Sequence, residues 1–99
     1  MTKQNTGIHE IPVWHDGTPP QGQWFRPQAM LNSVVFQVFT ETATGRAIIT
    51  RTSEGYEWEI YTLWNGWARF EQKGFEFQFE LAQEAAVSEL GRKCRFPNR

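Results

Sequence analysis

Through the middle of this chain, apolar and polar residues alternate with the two-residue period of half-buried strands. Val34, Val35, Phe36, Val38 and Phe39 predict a strand over residues 33–41, turned at Thr42-Ala43-Thr44-Gly45. Ile48 and Ile49 mark a second strand over residues 46–52, turned at Ser53-Glu54-Gly55. Two aromatic runs then flank Trp64-Asn65-Gly66-Trp67, and Asn-Gly between β-prone segments is the strongest short-range hairpin signal.

Two registers compete in that hairpin. A two-residue loop sets Ile60 opposite Glu71 and Thr62 opposite Arg69, mixing apolar and charged groups on one face. A three-residue loop, with Gly66 in a left-handed bulge position, pairs Ile60 with Phe70, Thr62 with Ala68 and Trp58 with Gln72. A one-residue slip moves every side chain to the other face, so the register that separates apolar from charged residues is the expected one.

Apolar parity switches at Lys73-Gly74, where Phe75, Phe77 and Phe79 follow by odd numbering, so Gly74 marks a bulge or a turn into a fifth strand. Beyond Phe79 the period becomes helical. Ala82, Ala85, Ala86 and Leu90 draw one stripe, with Gly91 as the expected stop. Before residue 33 the pattern is broken by Pro12, Pro19, Pro20 and Pro27, with turn signals at Asp16-Gly17, Pro19-Pro20 and Gln21-Gly22. Residues 1–32 therefore read as an irregular arm with short extended pieces around 8–14 and 23–26, and residues 33–99 as the sheet and helix. The expected fold is α+β: an antiparallel meander of four to five strands, one C-terminal helix packed on one face over Trp58, Ile60 and Phe70, and the irregular N-terminal arm.

In the three-residue register the outer face carries Leu63 beside Trp67 and Tyr61 beside Arg69, together with Glu57, Glu59, Glu71 and Lys73, with Trp64 at the tip. Aromatic side chains bury roughly 150–250 Å² each at about 25 cal/mol per Å², so leaving this group in water forgoes several kcal/mol. The arm, with Ile8, Ile11, Val13, Trp14, Trp24 and Phe25, lies across it, a partner does, or both hold at once with the arm covering one end. Trp64, Trp67, Tyr61 and Leu63 would then be anchors, Arg69 an orienting charge, and Glu57, Glu59 and Glu71 a polar rim.

Composition narrows the classes. The 99 residues are 39% hydrophobic and 15% aromatic, with eight Phe and five Trp, which excludes a wholly disordered chain. A net charge of −1 supplies no basic field for duplex nucleic acid or an anionic membrane. Acids dominate from Glu54 to Glu89, whereas Arg92, Lys93, Arg95 and Arg99 close the chain. A lone Cys94, no signal-peptide pattern and no apolar run of spanning length point to the cytoplasm and away from membranes.

Candidate chemistry is sparse. His9 and His15 stand near Glu10 and Asp16, yet a metal site needs three or four convergent ligands. Cys94 lacks a nucleophile motif, Glu57 and Glu59 lack a flanking pocket, and Gly45, Gly55, Gly66 and Gly74 are spaced as turns and not as a phosphate cradle. No enzyme activity, metal or cofactor is expected. Tyr61, Trp67 and Arg69 could form a stacking platform for single-stranded nucleic acid, but Glu57, Glu59 and Glu71 on the same face would repel phosphates. The expected role is a non-catalytic protein-binding module, with self-association or single-strand binding as alternatives. Size and style are compatible with small accessory or inhibitor proteins of phages and mobile elements that dock on host proteins, an analogy that rests on no shared motif.

Overall fold

The structure, a computed structural model, describes residues 7–39, 44–64 and 67–93, with the backbone alone at Trp64. Among these residues a short 3-10 helix, Ile8–Glu10, precedes six strands: β1 Val13–Trp14, β2 Trp24–Pro27, β3 Ser33–Phe39, β4 Thr44–Arg51, β5 Tyr56–Trp64 and β6 Trp67–Glu76. Helix α1, Phe79–Lys93, follows. The strands form one sheet in chain order, each beside its sequence neighbours. All pairs are antiparallel except β1 and β2, which run parallel.

The arm contributes more to this sheet than its prolines suggest. Pro12 lies just ahead of β1 and Pro27 ends β2, positions where a missing N–H interrupts no central ladder. Arg26 fastens the parallel pair, donating its backbone N–H to the Pro12 carbonyl at 2.9 Å and its Nε–H to the Ile11 carbonyl at 3.0 Å. Trp24 and Phe25 then pair with Phe36 and Val35 of β3. The sheet therefore has six strands where four to five were expected, and the arm is in part regular structure. The turn at residues 53–55 forms as expected: Thr52 Oγ1 accepts the N–H groups of Glu54 and Gly55 at 3.2 and 3.1 Å.

One face of the sheet meets α1. Phe79, Ala82, Ala86 and Leu90 are buried against Val34, Ala47, Ile49, Trp58 and Ile60. The small alanines allow close approach, while the strands supply the bulk. Ile8 enters the same core, and the Tyr56 and Phe79 rings stand 5.4 Å apart. Gly91 does not stop the helix, which continues to Lys93.

The hairpin departs from the expected register. Trp64 pairs with Trp67, Leu63 with Ala68, Thr62 with Arg69 and Tyr61 with Phe70. Asn65 and Gly66, and with them the expected bulge at Gly66, lie outside the described residues, but the pairing leaves two residues between the strands and not three. That count suits the Asn-Gly dipeptide, whose backbone preference matches strand twist. The ladder then shifts between Ile60 and Tyr61, leaving Glu71 as the extra residue, so that Ile60 faces Gln72 and Trp58 faces Gly74. The parity switch thus occurs at Glu71, three residues before Gly74, and β6 runs through Gly74 without a turn. Phe75 stays in β6, Phe77 falls in a bend and Phe79 opens the helix, so these three do not make a fifth strand of their own.

Gly74 has a steric reason. A Cβ there would lie 2.5 Å from Trp58 Cε2 and 2.9 Å from Nε1, with Cζ2 also overlapping. The indole occupies the space a side chain at Gly74 would fill, and it is buried in the core with α1.

Candidate docking surface

Side chains alternate along a strand, so the observed register assigns each residue to a face. On the face away from α1, four rows cross the sheet: Phe39, Thr44, Leu63 and Ala68; Gln37, Arg46, Tyr61 and Phe70; Val35, Ile48, Glu59 and Lys73; Ser33, Thr50, Glu57 and Phe75. The arm covers one end of it. Phe25 sits beside Val35, the Trp14 ring packs edge-on against Phe25 at 5.9 Å, and Val35 and Gln37 are buried. Toward β5 and β6 the cover ends. Phe39 is 59% exposed and Phe70 50%, and the Phe70 ring meets Tyr61 edge-on at 5.7 Å.

The expected site residues are divided by this register. Tyr61, Leu63, Glu57 and Glu59 share the outer face. Trp67 and Arg69 belong to the side that carries α1, as do Thr62 and the bulged Glu71: Thr62 Oγ1 donates to Glu71 Oε2 at 2.7 Å, and Arg69 Nε stands 3.6 Å from the same oxygen. Leu63 therefore lies beside Ala68 and not Trp67, and Tyr61 beside Phe70 and not Arg69. Phe70, expected beneath the helix, faces out. The Trp64 side chain lies outside what the structure describes.

Trp67 is 76% exposed, and the run Trp67, Ala68, Arg69 and Phe70 is exposed at every position. Consecutive strand residues point to opposite faces, so in this stretch neither face is covered. The far end of the β5–β6 hairpin is a two-sided ribbon, with Tyr61, Leu63 and Phe70 on one side and Trp67 and Arg69 on the other.

Charges on the outer face are locally engaged. Lys73 Nζ stands 3.9 Å from Glu57 Oε2, and Arg46 Nε donates to Gln37 Oε1 at 2.9 Å. The Tyr61 hydroxyl donates to Glu59 Oε1 at 3.2 Å. Burial, then the Glu59 charge and this hydrogen bond, pushes the Tyr61 phenol above its ordinary range. Glu57 and Glu59 thus serve an ion pair and a phenol.

His9 and His15 are exposed, and among the described residues no group of three or more His, Cys, Asp or Glu could hold a metal ion. Cys94 lies outside the described residues. No helix among them is long and apolar enough to cross a membrane.

Phe39, Phe70, Phe75 and Phe77 are exposed rings that local periodicity did not single out. The Asn-Gly turn count was a signal for Phe70, which a preference for apolar sorting overrode; Phe75 faces out only because of the extra residue at Glu71, and Phe39 is set by the β3–β4 pairing. Comparison of the chain with protein-family models, with curated proteins and with solved structures gave no match.

Proposed function

We propose that this protein is a small binding module that docks on another protein through the far end of its β5–β6 hairpin, by stoichiometric contact and without catalysis. The observation that carries this reading is the run from Trp67 to Phe70, exposed at every position, which leaves a largely exposed indole and a half-exposed phenyl ring on opposite sides of one ribbon. Trp and Arg are enriched at binding hot spots, and a ribbon with rings on both sides suits insertion into a partner's cleft. Trp67, Phe70, Leu63 and Tyr61 are the anchors, and Arg69, held near Glu71, orients the approach.

The test compares quantitative capture of partners by the wild-type chain with capture by Trp67→Ala and Phe70→Ala, each checked for folding by circular dichroism. Loss of about 2 kcal/mol or more of binding in folded variants supports the reading. Unchanged capture by both removes the hairpin from the interface. Sedimentation across a concentration series separates a second copy of the chain from a different partner. The single-strand nucleic-acid reading is weaker in this register, because Tyr61 keeps the acids Glu57 and Glu59 on its face while Trp67 and Arg69 stand on the other.

A further inference from the structure

A groove of about 530 Å³ lies between α1 and the arm-derived strand β2, away from the hairpin tip. Trp24 lines it on one side. Glu80, Gln83, Glu84, Val87 and Ser88 line it from one flank of the helix. The groove is shallow and open to solvent, and its surface is mainly apolar. The Trp24 indole is half-buried and packs against Phe36 at 5.2 Å, so its position is set by β3. Val87 adds an exposed apolar surface.

The charges are one-sided. Glu80 and Glu84 stand four residues apart on the same flank, where like charges repel, and the groove lining contains no basic residue. Among the described residues, the ion pairs of the molecule involve Glu57, Glu71 and Glu89 and neither of these two. An indole beside two carboxylates is complementary to an alkyl chain that ends in a cation: the ring face attracts the charge, and the stem covers apolar surface.

We propose that this groove binds a lysine- or arginine-bearing peptide segment of a partner protein, with the cationic side chain laid over Trp24 and its head between Glu80 and Glu84. The proposal stands apart from the hairpin reading, since none of its residues belongs to the β5–β6 hairpin.

The test is an NMR titration with a tryptophan-free peptide of alternating lysine and leucine, set against the same peptide with glutamate in place of lysine. The indole N–H signal of Trp24, assigned by its loss in Trp24→Phe, is the readout. A saturable shift is expected with the lysine peptide, weakened by salt and absent with the glutamate peptide. The double variant E80Q/E84Q, isosteric and on an exposed helix flank, should keep its helical circular dichroism and lose about tenfold in affinity, the product of two exposed charge pairs. Phe70→Ala should bind the peptide as wild type does. Equal shifts with the glutamate peptide, no saturable shift with lysine, or full affinity in E80Q/E84Q overturns the assignment.

Discussion

Replacing Gly74 by alanine tests the packing on which the hairpin register depends. The new methyl would stand 2.5 Å from Cε2 of the Trp58 indole, far inside van der Waals contact, and that indole is only 6% exposed beneath the helix. The obstruction is a rigid ring, so the ring must lift. An aromatic side chain buries roughly 150–250 Å², and returning about half of that to water at about 25 cal/mol per Å² costs about 2.5 kcal/mol. Alanine recovers about 0.5 kcal/mol by restricting the unfolded chain. The net loss is about 2 kcal/mol, a fall of roughly 10 °C in Tm for a domain of this size. Urea and thermal unfolding, followed by near-ultraviolet circular dichroism, read both the loss and the displaced indole. In a Trp58→Phe background the smaller ring should accept the methyl, giving a coupling of about 1 kcal/mol between the two positions. A Gly74→Ala protein that unfolds at the wild-type midpoint would refute the seating of Trp58 on Gly74, and with it the shifted ladder.

Three further expectations follow from the same geometry. Trp67→Ala should change stability by no more than about 0.5 kcal/mol, whereas Ile60→Ala, in the core, should cost about 2–5 kcal/mol; comparable losses in denaturant titrations would show Trp67 to be packed. Thr62→Val removes the 2.7 Å bond to Glu71 and should cost about 1 kcal/mol, an effect that vanishes when Glu71 is already alanine. Tyr61 favours its neutral form in the fold, so its contribution is complete below pH 10.0, the ordinary value, and is lost as pH rises from there through the raised folded value. Phenolate absorbance should show Glu59→Gln titrating at lower pH than wild type, and superimposed curves would contradict the contact.

The strands of the central hairpins, the α+β class and the alanine stripe of the helix were legible because each rests on local periodicity. Ala82, Ala86 and Leu90 recur at helical spacing, and all three are buried. The two short strands of the arm were legible only as extended pieces. Their pairing is fixed by contacts such as Arg26 with Pro12 and Phe25 with Val35, which no local pattern encodes. The register failed for a different reason. Sorting by hydrophobicity assumed one unbroken ladder, whereas the chain keeps a two-residue connection and inserts Glu71, so the two halves of β6 obey different parities. Trp58 opposite Gly74 was the available clue: the two registers weighed from sequence set the indole across from Lys73 or Gln72, whereas the observed ladder, which was not among them, sets it across from a residue without a side chain. The candidate surface inherited that error, which is why Tyr61 and Leu63 were placed correctly relative to each other while Trp67, Arg69 and Glu71 were assigned to the wrong side.

Because Glu71 is surplus to the ladder, removing it joins the two halves of β6 into a regular strand without turning any side chain over. A deletion inside a strand ordinarily scrambles a fold. Here the Glu71-deleted protein should fold with Trp58 still over Gly74, losing the Thr62 bond and the exposed Arg69 ion pair. Yet β6 is the border of the sheet, and a straightened border with free N–H and C=O groups is a template on which another strand can add. Light scattering should therefore show the shortened chain clumping at concentrations where the parent stays dispersed, the irregularity having guarded solubility more than shape.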